Sequence, residues 1–135
     1  MKIKIIKFKD VETPIRKHYN DTGADVYLTE DVEVKPFETK VIPLGFGIDL
    51  PDGYNAHMQA RTSIAKRGVM VHQCAIDAGY KGEIHAIVTN ISAKAHQFYK
   101  NDRLCYLVIT PTVYADYTIN LGEERGTGAF GSTGK

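Results

Sequence analysis

The sequence contains only two cysteines, Cys74 and Cys105, and this scarcity excludes two classes of site. The two lie too far apart for a CxxC metal or redox motif, and two thiols do not make a disulfide framework. The five histidines show neither HxH nor HxxxH spacing, so no zinc site is predicted. We therefore expect both cysteines to be small core residues of a cytoplasmic protein.

Excess charge and long apolar runs are also lacking. The 17 Lys and Arg residues and 16 Asp and Glu residues leave a formal charge of +1, too little for a broad nucleic-acid or membrane surface. No stretch approaches the roughly 20 apolar residues that cross a bilayer, and the first ten residues lack the apolar run of a signal peptide. We expect no nucleic-acid partner and no membrane contact, with any anion bound at a local site.

Alternation with a period of two is the commonest pattern in the chain. Apolar and charged residues alternate in residues 2–8 and 32–34, as they do in half-buried strands. Residues 84–89 also alternate, and residues 104–109 form a β-branched and aromatic run long enough for a buried strand. A length of 135 residues indicates about one domain. The sequence therefore predicts an all-β sandwich or barrel.

One segment, RTSIAKRG at residues 61–68, predicts a short helix. Thr62 or Ser63 can cap its N-terminus, and Gly68 suits a C-terminal stop. Arg61, two hydroxyls and the free N–H groups of a helix start are a suitable cradle for phosphate. An ordinary capped turn with a solvated arginine explains the same residues, so this segment alone leaves both interpretations open.

A carboxylate stands in the segment CAIDAGYKGEI, residues 74–84. Asp77 follows an apolar run and precedes two glycines, a position from which it could act as a general base toward water. Tyr80 comes three residues later, in a turn. The alternative is that Asp77 bonds its own backbone in the turn and that Tyr80 covers the edge of the core.

The chain ends in RGTGAFGSTGK, residues 125–135. Its glycines let a backbone wrap a ligand closely, and Arg125, Ser132 and Thr133 can bind phosphate oxygens. Phe130 can stack on a planar ring. A glycine-rich disordered terminus is the alternative.

Five segments in order resemble the five motifs of the trimeric dUTPases: TGADVYL, ARTSIAKRG, AIDAGYKGEI, NDRLCYLV and RGTGAFGSTG. The resemblance covers residues 22–134. It implies a jelly-roll-like β domain over residues 1–121 with one short helical segment, and a flexible arm over residues 122–135. It also implies a homotrimer with active sites at subunit interfaces, which hydrolyses dUTP to dUMP and pyrophosphate with Mg²⁺.

The same resemblance assigns roles to residues. Asp77 would activate the water that attacks the α-phosphorus, and Asp25 would support the metal through water. Residues 71–80 would form a β-hairpin that reads uracil, while Asp102 and Arg103 would be scaffolding. The implied substrate-binding residues are Arg61, Thr62, Ser63, Val71, Gln73, Ile76, Tyr80, Lys81, Tyr106, Arg125, Phe130, Gly131, Ser132 and Thr133.

The sequence departs from the family pattern at a phosphate-contacting position, and two alternative functions stay open. Tyr106 stands where the family usually has a glutamine that contacts the α-phosphate. Residues 67–82 also resemble the related dCTP deaminases, but their catalytic glutamate would fall at Ile87, so the acid-base group for deamination is absent. The other alternative is a regulatory nucleotide-binding protein on the same scaffold.

Overall fold

A computed structural model describes residues 1–12 and 14–122 of the chain, and over these residues it contains ten strands and one helical turn. This confirms the all-β prediction. No helix within the described ranges is long and apolar enough to cross a membrane. The elements are β1 (Lys4–Lys7), β2 (Ala24–Tyr27), β3 (Val32–Val34), β4 (Thr39–Pro43), β5 (Phe46–Asp49), β6 (Tyr54–Ala60), α1 (Thr62–Ala65), β7 (Val69–Val71), β8 (His85–Asn90), β9 (His96–Phe98) and β10 (Arg103–Pro111).

The strands pair antiparallel into four small sheets. Their orders are β1-β5, β2-β10-β6, β3-β9 and β4-β8-β7. Most neighbours in a sheet are distant in sequence, as in a sandwich whose connections cross between layers. β10 is the longest strand and lies between β2 and β6. It therefore joins two regions that are far apart in the chain.

The core is built by the alternation seen in the sequence. In β3, Val32 and Val34 are buried while Glu33 is exposed. In β8, Ala86 and Val88 are buried in the same way. Phe46 and Phe98 are among the largest fully buried side chains, and each such side chain contributes about 1.5–3 kcal/mol by leaving water.

The helical turn differs from its prediction at one end. Gly68 has φ +80° just beyond α1, which a glycine adopts without strain, so the predicted stop is confirmed. At the start, the N-cap residue is Arg61 in extended conformation, without a side-chain cap, so the predicted Thr62 or Ser63 cap is wrong. Both hydroxyl residues lie inside the first turn and are exposed.

The segment after β7 is not the β-hairpin that the resemblance implied. Ile76 instead makes an isolated bridge with Ala56 of β6, donating its N–H at 2.7 Å and accepting at 3.0 Å. β6 lies at the edge of its sheet, so its free backbone groups are available to this segment. Residues 72–79 are thus attached to the sheet that also contains β10.

Asn90 is a fully buried polar residue at the end of β8. Its Nδ2 donates to the carbonyl oxygens of Val34 at 3.0 Å and Lys94 at 2.8 Å. Its Oδ1 accepts from the backbone N–H and the hydroxyl of Ser92. One carboxamide therefore joins β8, β3 and the loop before β9.

We expect Asn90→Ala to lower the free energy of unfolding by about 2–4 kcal/mol, because it leaves buried carbonyl groups without donors. Urea denaturation measures this loss. Lys94→Ala is the matched control, since the Lys94 side chain is exposed, and its midpoint should equal that of the unmodified protein. Equal midpoints for both variants would contradict the role given to Asn90.

Candidate functional site

A cavity of about 240 Å³, cavity A, opens beside the segment that contains Asp77. Its floor is apolar and its rim holds the polar groups. The apolar lining is Met58, Ala75, Ile76, Ile84 and Ile87, and the remaining lining is His72, Cys74, Asp77, Tyr80, Glu83 and His85. A largely apolar lining with a few polar groups is typical of pockets for small organic molecules.

The backbone fixes Asp77 at the rim of cavity A. The Ile76 bridge to Ala56 holds the preceding residue, and the Asp77 carbonyl accepts the Tyr80 N–H at 3.0 Å. The Asp77 side chain is exposed, and its carboxylate makes no hydrogen bond or ion pair within the described part of the chain. Its oxygens are therefore available to a ligand or a water molecule.

Tyr80 is held against the turn by a glycine. Its hydroxyl donates to the Glu83 carbonyl at 2.6 Å, and a Cβ added to Gly82 would lie 2.8 Å from that hydroxyl. Gly82 in turn packs its carbonyl against Gly47 of β5, where no Cβ fits. Close backbone approach at both glycines lets the ring, 46% exposed, face cavity A.

A second cavity of about 310 Å³, cavity B, borders strands β2 and β10. Tyr106 of β10 is directly opposite Asp25 of β2 in the strand register. Arg61 donates from Nη1 to the Arg103 carbonyl at 3.0 Å, and Arg103 Nη1 lies 3.5 Å from Asp25 Oδ2. The full lining is Lys17, Asp21, Thr22, Gly23, Asp25, Arg61, Arg103 and Tyr106.

A third cavity of about 290 Å³, cavity C, shares Arg61 and Arg103 with cavity B. Ser63 lines it, and the Arg67 guanidinium lies 4.6 Å from the centre of the Phe98 ring. Asp102, also in the lining, accepts the Tyr99 N–H at 2.8 Å and so stabilises the turn before β10. Cavities B and C together form a basic groove.

The chain separates the residues that the sequence predicted as one site. Ile76, Asp77 and Tyr80 line cavity A, Asp25, Arg61 and Tyr106 line cavity B, and Ser63 lines cavity C. Cavities A and B have no lining residue in common. Thr62, Val71, Gln73 and Lys81 line none of the three cavities, and Arg125, Phe130, Gly131, Ser132 and Thr133 lie outside the described residues.

Lys81 and Arg103 are engaged in ion pairs. Lys81 Nζ lies 3.5 Å from Asp49 Oδ1 across two exposed side chains, a pair of small energetic value. Arg103 pairs with Asp25 rather than with its neighbour Asp102. Arg103 therefore belongs to the lining of the basic groove as well as to the scaffold.

Sequence reasoning missed Lys17 and Arg67 in the groove and gave His72 no definite place. His72 lines cavity A and bonds Thr89 Oγ1 through Nε2 at 2.7 Å. None of the three stands in a pattern that marks a ligand.

The two cysteines have different environments, and the expectation for Cys74 is wrong. Cys105 is fully buried, and this burial raises the pKa of its thiol to about 12. Cys74 is exposed at the rim of cavity A. After β7 the segment leaves the core, and it pairs with β6 at Ile76. Cys74 lies between these two points and is therefore exposed.

The all-β domain thus holds a free carboxylate in cavity A and arginine side chains in cavities B and C. The dUTPase family model matches residues 9–134. The chain belongs to the dUTPase family, and it is a hydrolase of nucleotide metabolism.

Relatives match over nearly the whole chain. The deoxyuridine 5'-triphosphate nucleotidohydrolase of Clostridium tetani is 38% identical, with 100% of this chain and 97% of the relative covered. That of Bifidobacterium longum is 40% identical over 96% of this chain and 89% of its own length. The Nautilia profundicola protein of the same name is 36% identical, with both chains covered completely.

Solved structures give the same fold. The dUTPase of phage phi11 of S. aureus superposes with a TM-score of 0.85 at 20% identity, covering 92% of this chain and 99% of that chain. A mutant dUTPase of Staphylococcus bacteriophage 80alpha with dUpNHpp gives 0.84 at 22% identity, over 99% of each chain. This similarity confirms the jelly-roll-like fold that the resemblance implied.

We expect one of the two thiols to react with a thiol-specific disulfide reagent in the native protein, because only Cys74 is exposed. Cys105 should react only after unfolding. Absorbance of the released thiol measures the stoichiometry, and Cys74→Ser is the control that should abolish the native reaction. Undiminished labelling of Cys74→Ser would show that Cys105 is accessible.

Proposed function

We propose that the protein hydrolyses dUTP to dUMP and pyrophosphate, at sites that combine cavity A of one subunit with the basic groove of another in a homotrimer. The separation of Asp77 from Asp25 and Arg61 within one chain supports this arrangement most directly. A reaction that needs both sets of residues requires a second copy to bring them together. Two free cysteines are compatible with a reducing compartment, and we place the protein in the cytoplasm.

Cavity A is assigned to the base, the sugar and the attacking water. The apolar residues that line cavity A suit a planar base. The Tyr80 ring, which also lines it, is large enough to exclude a sugar bulkier than deoxyribose. Ile76 and Asp77 line this half of the site, and the resemblance adds Val71 and Gln73, which do not line cavity A. The free carboxylate of Asp77 accepts a proton from the water as it attacks the α-phosphorus.

The basic groove is assigned to the phosphate chain. Arg61 presents a planar guanidinium that can bind two phosphate oxygens at once, and Thr62, Ser63 and Tyr106 supply hydroxyl donors. Lys81 adds a cation from the cavity A side. Arg61 is already oriented by its bond to the Arg103 carbonyl, so less conformational entropy is lost when a phosphate binds.

Residues 122–135 are assigned to an arm that closes over the bound nucleotide. Phe130 would stack on the base, and Arg125, Gly131, Ser132 and Thr133 would hold the outer phosphates. Closure of such a segment excludes water other than the nucleophile and completes the catalytic group. This assignment rests on the order of the residues in the sequence.

Magnesium fits the residues that line cavity B. Among the described residues no three His, Cys, Asp or Glu side chains cluster to hold a metal ion, but Mg²⁺ commonly uses only one or two carboxylates together with waters and substrate phosphates. Asp25 offers such a carboxylate, through water, beside the phosphate groove. When bound there, Mg²⁺ would neutralise charge on the phosphate chain.

Two other functions have weaker support. A dCTP deaminase needs an acid-base group that Ile87, an apolar residue of cavity A, does not provide, and Glu83 in the same cavity accepts the Gly45 N–H at 2.8 Å. A regulatory nucleotide-binding protein is favoured by Tyr106, since a phenol replaces the usual glutamine. Release of pyrophosphate from dUTP, dCTP, dTTP and UTP in the presence of Mg²⁺ separates these functions.

We expect Asp77→Asn to lower kcat for dUTP by about 10² to 10⁴, because an amide cannot accept the proton of the water. Pyrophosphate release measures kcat, and calorimetric titration with dUpNHpp should give nearly unchanged affinity. Asp52→Asn, in an exposed turn, is the matched control. An Asp77→Asn variant as active as Asp52→Asn would rule out Asp77 as the base.

We expect inactive Asp77→Asn and Arg61→Ala subunits to restore activity when they are unfolded, mixed and refolded together. A site built from two subunits regains one intact copy of each residue in about one quarter of the sites of a random mixture. Pyrophosphate release from the mixture measures this, with each variant refolded alone as the control. A mixture as inactive as its components would place the whole site within one chain.

A further inference from the structure

Lys17 lines cavity B together with Arg61 and Arg103, although it stands outside every motif of the sequence. It lies on the segment 15–25, which leads into β2. Its side chain is exposed. An exposed lysine is usually a solvated surface residue, so its relevance depends on how firmly the segment is held and which charges surround it.

The segment 15–25 is held at three points. Ile15 and Asp25 exchange backbone hydrogen bonds of 3.2 and 2.9 Å. Asp21 Oδ2 accepts the His18 N–H at 2.8 Å and closes the turn. Gly23 packs on the Tyr106 ring so closely that a Cβ would lie 2.8 Å from Cδ2. Lys17 therefore extends from an anchored backbone at the edge of the cavity.

Some charged side chains of cavity B form ion pairs or hydrogen bonds with one another or with the backbone, and others do not. Lys17, Arg61 and Arg103 face the carboxylates of Asp21 and Asp25. Asp25 pairs with Arg103, and Asp21 Oδ2 accepts the His18 N–H and lies near the His18 ring. Within the described ranges, neither Lys17 nor Arg61 has a carboxylate oxygen within 4.0 Å. The cavity thus presents two cations available to an anion.

We propose that Lys17 is a substrate-binding residue that contacts the phosphate chain in cavity B and adds to the charge of Arg61. This deepens the proposed function and rests on it for the identity of the nucleotide. The contact forms a charge-assisted bond from an ammonium to a phosphate oxygen, without chemistry of its own. Its effect belongs to binding and not to the chemical step.

The test is titration calorimetry of dUpNHpp and of inorganic tripolyphosphate into the full-length protein and three variants. We expect Lys17→Ala to weaken binding of both by about tenfold, the loss of one exposed charge-assisted contact. Lys17→Arg should bind within about threefold of the unmodified protein, because it retains the charge. Lys94→Ala, an exposed lysine outside the described cavities, should bind like the unmodified protein.

Hydrolysis kinetics and salt dependence give the second readout. Lys17→Ala should raise KM for dUTP with kcat nearly unchanged, and its affinity should fall less steeply with added salt, since one cation is missing. Affinity and KM equal to those of Lys94→Ala would overturn the proposal, while the hydrolysis of dUTP would stand. Loss of tripolyphosphate binding in Lys17→Ala without any dUTP hydrolysis by the unmodified protein would support Lys17 and overturn the proposed function.

Discussion

The pairing of β10 with both β2 and β6 is the constraint on which the arrangement of polar residues depends. It sets Tyr106 opposite Asp25 on one side and opposite Gln59 on the other. The pairing of β10 with β6 ends at Ala60, the residue before Arg61. Because side chains alternate between faces, a slip of β10 by one residue would turn Tyr106 to the opposite face and away from Asp25. The basic groove is therefore specified by strand register as much as by the residues that line it.

The same strand β6 also holds the other cavity. Ala56, near its start, pairs with Ile76 and so fixes Asp77, while Arg61 follows its last residue. The length of β6 sets the distance along the sheet between the segment with Asp77 and Arg61, since a strand rises about 3.3 Å per residue. Glycines complete the arrangement: Gly82 admits the Tyr80 ring and Gly23 admits the Tyr106 ring, where any side chain would displace them.

Much of the fold could be predicted from the sequence, because local residue patterns determine it. The alternation at residues 84–89 and 32–34 predicted the buried faces of β8 and β3, and Gly68 predicted the end of α1. The bridge between Ile76 and Ala56 was not predictable, because it depends on which edge strand lies nearby. The exposure of Cys74 follows from that bridge. The residues that line the cavities were partly predictable. Asp25 and Arg61 stand in motifs whose neighbouring residues can be recognised, whereas Lys17 stands in no motif. Lys17 lies at cavity B through the packing of Gly23.

The two carboxylates that the proposed site uses, Asp25 and Asp77, have different surroundings. Asp25 has one oxygen 3.5 Å from the Arg103 guanidinium, so this oxygen is already engaged in an ion pair. Asp77 has no cation within ion-pair distance among the described residues, so its oxygens stay free until a ligand arrives. In the homotrimer that we propose, Asp77 would come from one subunit and the basic groove from another, and a bound nucleotide would contact both.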